Sequence, residues 1–327
     1  MSTLRGKTLV MTGAMQDDFE TPAASPAYQL AYYDEAFNSG EGLESDPEIR
    51  ADVHNARDAT DPAPALASPS GNVTVAADMN SMLFWMTLLY GAPATTGAED
   101  PYSHVFASGK EELPSATLEV PMGEDRWKAV IGAKANSLSF NFDKEAGYKK
   151  MSLGMVAREV RDITGAGNSL FEGENPTIWT RAKAAATLAT FAIDGVTVGR
   201  CVGGGFQYTN NLNAENFADG SEFPSDYFAG DPTCETTPRL RMAKTAAANA
   251  ALNKFQGVKG APFAASISLP ISASRSLVIN MPRCWGEKIS PAVGGTGPVE
   301  FQGRIVAVQG PAAPAMTATL INEVAAL

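Results

Sequence analysis

The sequence predicts a mainly β protein built from two similar halves. The clearest evidence is a run of residues, 113–160, in which apolar and polar side chains alternate along the predicted strands. In its longest strand the apolar residues share one face and the polar residues share the other: Leu138, Phe140 and Phe142 against Ser137, Ser139 and Asn141. Alternation with a period of two is typical of a sheet that buries one face. The run therefore predicts an antiparallel meander, half buried and half in contact with water.

The second observation is that the same order of elements occurs twice. Each half contains a strand, a short helix and then a meander. These elements lie at 72–77, 80–90 and 113–160 in the first half, and at 239–243, 245–255 and 263–309 in the second. A tandem repeat of one supersecondary unit predicts one domain per copy. We therefore expect two tandem β-sandwich or β-barrel domains, residues 1–180 and 181–327, each with one short α-helix.

The remaining elements are placed by short apolar runs and by their turns and caps. Further strands are expected at 7–11, 28–33, 187–193 and 316–321, and Asp194-Gly195 is expected to turn the chain into a returning strand at 196–198. The first helix is apolar on nearly every side, so it should be covered all round. Asn80 or Ser81 is its expected N-cap, and Gly91 its expected C-cap.

Two long acidic excursions interrupt the strands, at residues 34–64 and 207–232. Such loops are usually functional or disordered, because their low hydrophobicity cannot support a core of their own. The first excursion interleaves charges of both signs, which suits pairing with another surface. Its candidate contact residues are Asp46, Glu48, Arg50, Arg57, Asp58 and Asp61.

The composition excludes several classes of function. The chain has 327 residues and a formal net charge of -11, which argues against nonspecific binding of duplex DNA, since that needs clustered Lys and Arg. The three cysteines, Cys201, Cys234 and Cys284, are odd in number and are expected to be free thiols. The N-terminus has no apolar signal core, and no apolar run approaches the roughly 20 residues that span a bilayer. We expect synthesis in the cytoplasm and no membrane contact.

No motif predicts an active site, a cofactor or a metal. The triplet Gly6-Lys7-Thr8 lacks the upstream glycine and strand of a phosphate-binding loop. The two histidines, His54 and His104, do not stand at metal-ligand spacing and are expected at the surface. We therefore predict no enzyme, although an enzyme with dispersed Asp and Glu groups stays an alternative.

Several features in order resemble the tail tube proteins of long-tailed bacteriophages. They cover residues 40–160 and are the Arg57-Asp58-Ala-Thr-Asp61-Pro62 stretch, the Gly71-Asn-Val-Thr-Val strand, the helix ending in Leu88-Leu89-Tyr90-Gly91, the Tyr102-Ser-His104-Val-Phe106 segment, Leu113-Pro114-Ser115 and the Ala135-Asn136-Ser137 strand. The second half is similar to a diverged repeat of the same kind. The resemblance implies a structural protein of the virion tail, assembled in the host cytoplasm, that partners with tape-measure, terminator and tip proteins.

The resemblance further implies subunit rings stacked into a hollow tube through which DNA leaves the capsid without specific binding. Closing exposed strand edges with identical neighbours is an independent physical reason to form such a ring. Two domains per chain predict a trimeric ring with pseudo-sixfold symmetry, with a hexamer as the alternative. Ser137, Ser139 and Asn141 are candidates to face the lumen, although the outer wall is an equally open assignment. A capsid-surface or adhesive module of tandem β-domains is the alternative function.

Overall fold

The structure is a computed structural model that describes residues 6, 9–46, 61–242, 244, 247–291, 293 and 296–327. The strands of the first half are β1 (Met11–Gln16), β2 (Tyr28–Leu30), β3 (Asp34–Glu35), β4 (Leu43–Glu44), β5 (Ala63–Pro64), β6 (Ser70–Ala76), β7 (Ala94–Thr96), β8 (Tyr102–Ala107), β9 (Ser115–Gly123), β10 (Arg126–Asn141), β11 (Lys150–Val156) and β12 (Glu159–Thr164). Those of the second half are β13 (Thr190–Ile193), β14 (Val196–Thr197), β15 (Cys201–Thr209), β16 (Leu212–Glu215), β17 (Asp226–Ala229), β18 (Thr233–Arg241), β19 (Phe263–Ser272), β20 (Arg275–Gly286), β21 (Glu300–Gln302), β22 (Ile305–Ala307) and β23 (Thr317–Asn322). One α-helix, α1 (Met82–Tyr90), and three short 3₁₀ segments, Ala186–Leu188, Ala247–Lys254 and Gly257–Lys259, complete the described chain.

The mainly β prediction is confirmed, but the prediction of a second α-helix is wrong. The segment expected to match α1 forms the 3₁₀ helix Ala247–Lys254 instead. All nine residues of α1 are buried, so tertiary packing supports its α-helical form. The later segment is rich in alanine and leaves Ala250 and Asn253 exposed, so it lacks the all-round burial that supports α1.

Two further local predictions need correction. The first described strand runs from Met11 to Gln16, where Thr12–Gln16 pairs with β9, and residues 9 and 10 lie outside it. Lys7 and Thr8 of the strand expected at 7–11 lie outside the described residues. Ser81 occupies the predicted N-cap position of α1, but it makes no side-chain capping hydrogen bond. Instead, the Asn80 amide donates to the Thr180 carbonyl (2.7 Å) and to the Glu323 carboxylate (2.8 Å). The C-cap is confirmed, since Gly91 has φ 78° and donates to the Thr87 carbonyl.

Most strands belong to two sheets that share the long strand β10. Sheet I has the order β2-β1-β9-β10-β12 and uses the first part of β10. Sheet II uses its last part in the order β3-β6-β11-β10-β15-β18. The strand bends at Gly132, which has φ 65° and lies within the register shift between Val130 and Ala133. A Cβ there would come 2.7 Å from the Phe19 carbonyl oxygen, so only glycine fits the bend.

Sheet II continues from the first half into the second. The last part of β10 pairs with β15, and β18 pairs onward with β22, which joins β20, β19 and β13. The C-terminal strand β23 also returns to pair with β8. The division of the chain into two domains near residue 180 stays a prediction. In the fold, the two halves share a sheet and one apolar core.

Helix α1 lies inside this shared core, as its all-round apolar sequence predicts. Phe84 packs 6.1 Å from the Tyr28 ring of sheet I. Tyr90, at the other end of the helix, packs 4.8 Å from the Tyr208 ring of β15 in the second half. The helix therefore joins both sheets and both halves.

Candidate assembly surfaces

The polar face of sheet II is built by the alternation along β10. Leu138, Phe140 and Phe142 are buried, whereas Ser139 and Asn141 are exposed and Ser137 is half-buried. The alternation predicted from the sequence is confirmed. The prediction that the polar side of this strand faces a lumen is not tested by these positions.

Neighbouring strands extend the same face with small, mostly uncharged side chains. Ser139 lies between Ser152 of β11 and Gln207 of β15. Further members of the face, which lines a shallow depression of about 370 Å³, are Thr74, Asn141, Lys150, Gly205, Glu235 and Thr237. Glu235 binds the Arg304 guanidinium, so its charge is compensated. Such a surface can hydrogen-bond water but offers little charge to hold a polyanion.

One end of sheet II carries a β-hairpin arm, β16–β17, which lies within the second acidic excursion. The arm leaves β15 just after Thr209, and its root is fixed to β10. Lys134, a nearly buried cation, donates to the Asp226 carboxylate and to the Tyr227 carbonyl (3.2 Å). Its ammonium also lies 5.0 Å from the Phe19 ring centroid. These contacts fix the root of the arm to the first half.

Two asparagines complete the root of the arm. The Asn136 carbonyl oxygen and side-chain oxygen accept hydrogen bonds from the backbone N–H groups of Asn210 (2.7 Å) and Leu212 (2.9 Å). Asn210 is 3% exposed, and its side-chain amide donates to the carbonyls of Leu89 (2.8 Å) and Ala135 (3.1 Å). The bend of β10, the end of α1 and the arm are thus joined at one buried amide.

The tip of the arm meets the chain just after the first acidic excursion. The Ala67 backbone N–H donates to the Glu222 carbonyl (2.8 Å), and the short β4–β5 pair closes the base of that excursion. We call this end of sheet II the acidic end. Residues 210–232 contain five acidic residues and no Lys or Arg.

The predicted contact residues of the first excursion lie partly on this acidic end. Asp46 and Asp61 are exposed there. Glu48, Arg50, Arg57 and Asp58 lie outside the described residues, as does His54. Their proposed contacts with other subunits therefore stay predictions.

The opposite end of sheet II, which we call the basic end, carries clustered cations: Lys144, Lys149, Lys150, Arg200, Arg239 and Arg241. Arg239 pairs with Asp143 (3.1 Å), Lys149 with Glu145 (2.7 Å) and Arg241 with Glu300 (2.6 Å). The hydrogen bond from Lys149 holds the pKa of the Glu145 carboxyl below its usual value. In the part of the chain described, Lys144, Lys150 and Arg200 have no acidic partner within salt-bridge distance.

A groove at the basic end was not apparent from the sequence. It is lined by Ile193, Val196, Val198, Arg200, Ala251 and Lys254 and encloses about 470 Å³. Val196 on its rim is 69% exposed. Lys254 and the backbone N–H of Ala264 bind the Asp194 carboxylate, which lowers the pKa of that group. In the sequence, the Asp194-Gly195 turn is the one recognisable part of the groove. The turn and its strands form one wall, and the other wall comes from a segment about 50 residues later in the chain.

The titratable core groups are structural. Cys234 and Cys284 are buried free thiols, as predicted, and burial raises the pKa of each. His104 is fully buried, which corrects its predicted surface position: its Nδ1 contacts the Thr95 hydroxyl (2.8 Å) and its Nε2 contacts the Val324 carbonyl (2.8 Å). Among the described residues, no group of three or more His, Cys, Asp or Glu side chains is arranged to hold a metal ion. Within the same residues, no helix is long and apolar enough to cross a membrane.

Comparison with known proteins identifies the family of this β protein. The sequence matches the family described as phage tail tube protein over residues 6–315, which include both sheets, α1, the arm and the groove. Curated proteins give no match. Because the match spans nearly the whole chain, the chain belongs to the phage tail tube protein family, a structural family of the virion tail that is not known to be enzymatic.

Proposed function

We propose that this chain assembles into stacked rings that form the hollow tube through which DNA passes during ejection. The observation that carries the proposal is the polar face of sheet II, which runs without a break across strands of both halves. The centre of this face carries small uncharged side chains such as Ser139 and Ser152, which let a polyanion slide past because they offer neither cations to bind phosphate nor large apolar groups. The clustered cations of sheet II lie at its basic end.

The proposed lumen face includes Ser137, Ser139 and Asn141. These residues and their neighbours on β11 and β15 form the centre of the polar face. Replacing Ser139 and Asn141 with Lys should leave tubes intact and slow DNA passage, because the added cations attract phosphate. Replacing both with Gln is the matched control, since it adds bulk without charge. Equal DNA passage through both variants would place this face away from the lumen.

The proposed ring is a trimer with pseudo-sixfold symmetry. The two units, residues 1–180 and 181–327, would occupy alternating positions, and the continuous sheet between them supports their acting as adjacent segments of one wall. The alternative is a ring of six full chains. Electron microscopy of tube cross-sections separates the two by the number of chains per ring.

The proposed contacts between rings include the first acidic excursion, with Asp46, Glu48, Arg50, Arg57, Asp58 and Asp61 as candidate residues. Deleting residues 41–52 should leave the fold intact and abolish assembly. Tube formation by the deleted protein at the wild-type concentration would reduce the excursion to decoration. A tube that grows to a defined length would further need tape-measure, terminator and tip proteins as partners, which we include in the proposal.

Negative-stain electron microscopy of concentrated pure protein is the first test of the whole proposal. Hollow tubes of uniform diameter are the expected result. Protein that remains monomeric at every concentration would instead favour a tandem β-domain module that acts alone on the virion surface.

A further inference from the structure

We propose that the groove at the basic end receives Phe217 from the hairpin arm of a second copy of this chain. The inference rests on the proposed assembly and names one of its contacts. It follows from three features: an exposed aromatic side chain on an acidic arm, an apolar groove with a cationic rim, and the placement of these surfaces at opposite ends of one strand.

The arm presents Phe217 to solvent. This side chain is 65% exposed, although the arm that carries it is held at its root by Lys134 and at its tip by Ala67. The turn beyond Phe217 is ordered by Asp219, whose carboxylate accepts hydrogen bonds from the Ser221 N–H (2.8 Å) and the Ser225 hydroxyl (3.3 Å). A large apolar side chain on a rigid support is typical of an interface anchor, because little conformational entropy is lost when it binds.

The groove offers the complementary chemistry. Its floor is made by aliphatic side chains such as Ile193 and Val198, and its volume of about 470 Å³ exceeds that of a phenyl ring several times. Arg200 stands at the rim without an acidic partner among the described residues, and Lys254 shares its charge with Asp194. An aromatic ring flanked by carboxylates fits such a rim better than an uncharged or basic segment does.

The carboxylates that would meet this rim flank Phe217 in the sequence. Glu215 and Asp219 stand two residues on either side, and the whole arm lacks basic residues. Neither carboxylate lies within salt-bridge distance of a described cation in its own chain. Contact with Arg200 of another copy would therefore pair one of these carboxylates with a cation that also lacks a partner among the described residues.

The two surfaces cannot meet within one chain. The groove adjoins the start of β15 at Cys201, and the arm leaves its end at Thr209. Eight residue steps of a β-strand separate these points by about 27 Å. The contact must therefore be heterologous, with the arm of one copy on the groove of the next, and contacts of this kind propagate in one direction through an assembly.

Disulfide trapping tests the contact directly. One chain carries Phe217→Cys and the other Val196→Cys, both with Cys201→Ser to remove the half-buried thiol beside the groove. The two chains are mixed, assembled and treated with a mild thiol oxidant. A disulfide between the two chains is the expected product. Phe228→Cys is the matched control, because Phe228 is 49% exposed on the same arm but lies near its root.

Charge reversal tests the rim. Glu215→Arg and Arg200→Glu should each raise the critical concentration for tube assembly about tenfold, as loss of one interface ion pair does, and the two together should restore it. Phe217→Ala should have an effect at least as large, with Phe228→Ala close to wild type. Circular dichroism before assembly confirms that each variant is folded.

The outcomes separate this inference from the proposed function. If the wild-type protein forms tubes, but the Phe217→Cys and Val196→Cys chains assemble without the cross-chain disulfide and Phe217→Ala is tolerated, the groove contact is overturned and the tube stands as a proposal. Wild-type protein that never assembles would overturn both. Tubes with the disulfide between Phe217 and Val196 positions, but not between Phe228 and Val196 positions, support the contact.

Discussion

Replacing Asn210 with Ala should be among the most destabilising single changes in this chain. The Asn210 side chain is 3% exposed and makes three hydrogen bonds. It donates to the carbonyls of Leu89 (2.8 Å) and Ala135 (3.1 Å) and accepts from the Tyr208 hydroxyl (3.0 Å). The substitution leaves three buried polar groups without this partner.

The expected loss of unfolding free energy follows from that count. Each buried group left unsatisfied costs about 1–3 kcal/mol, and partial relaxation or entry of water reduces the sum, so we expect about 3–5 kcal/mol. Asn213→Ala is the matched control. Asn213 is exposed on the same arm and donates one hydrogen bond to the Asn211 carbonyl (2.9 Å), so its loss should cost less than about 1 kcal/mol.

Urea unfolding followed by circular dichroism and tryptophan fluorescence measures both variants. Because Asn210 joins α1, β10 and the arm, both probes should report the same shift of the midpoint. A loss below about 1 kcal/mol, or one equal to that of Asn213→Ala, would show that this amide does not hold the halves together.

Three other predictions concern the bend of β10, two buried titratable groups, and the loop that covers Glu119 of sheet I. Gly132→Ala should cost at least about 2 kcal/mol and impair assembly, because its Cβ would collide with backbone at the bend of β10. Gly147→Ala is the control, because Gly147 also has a positive φ but an added Cβ would meet open space, so this variant measures the cost of the backbone conformation alone. An equal loss of unfolding free energy in both variants would show that the collision at Gly132 contributes nothing. In alkali, burial raises the pKa of Cys284 from 9.0 and of Tyr208 from 10.0 to about 12 each, so the folded state keeps protons that the unfolded state releases. Their contribution to stability is complete below pH 9 and should be lost as the pH rises from 9 to 12, and a flat urea midpoint over this range would contradict it. Glu119→Ala should cost about 1–3 kcal/mol, because this buried carboxylate accepts hydrogen bonds from a hydroxyl and a backbone N–H of the loop that covers it, and limited proteolysis should then cut that loop faster.

Elements whose signal is local could be predicted from the sequence alone. The period-two pattern around Leu138 predicted the buried face of β10, and the apolar run ending at Gly91 predicted a helix covered on all sides. Turn residues such as Asp194-Gly195 predicted the hairpin of β13 and β14, which the structure contains. The ordered motifs of the first half also predicted the family, which the match over residues 6–315 confirms.

The way in which these elements are joined depends on contacts between distant parts of the chain. Pairing of β10 with β15, and of β8 with β23, depends on partners far apart in the chain, and no local pattern encodes that choice. The segment predicted as a second α-helix has the 3₁₀ form. Packing on all sides maintains the α-helical form of α1, and this segment lacks such packing. Likewise, the arm and the groove are separate surfaces because they lie at opposite ends of β15. Sequence spacing alone does not show this arrangement.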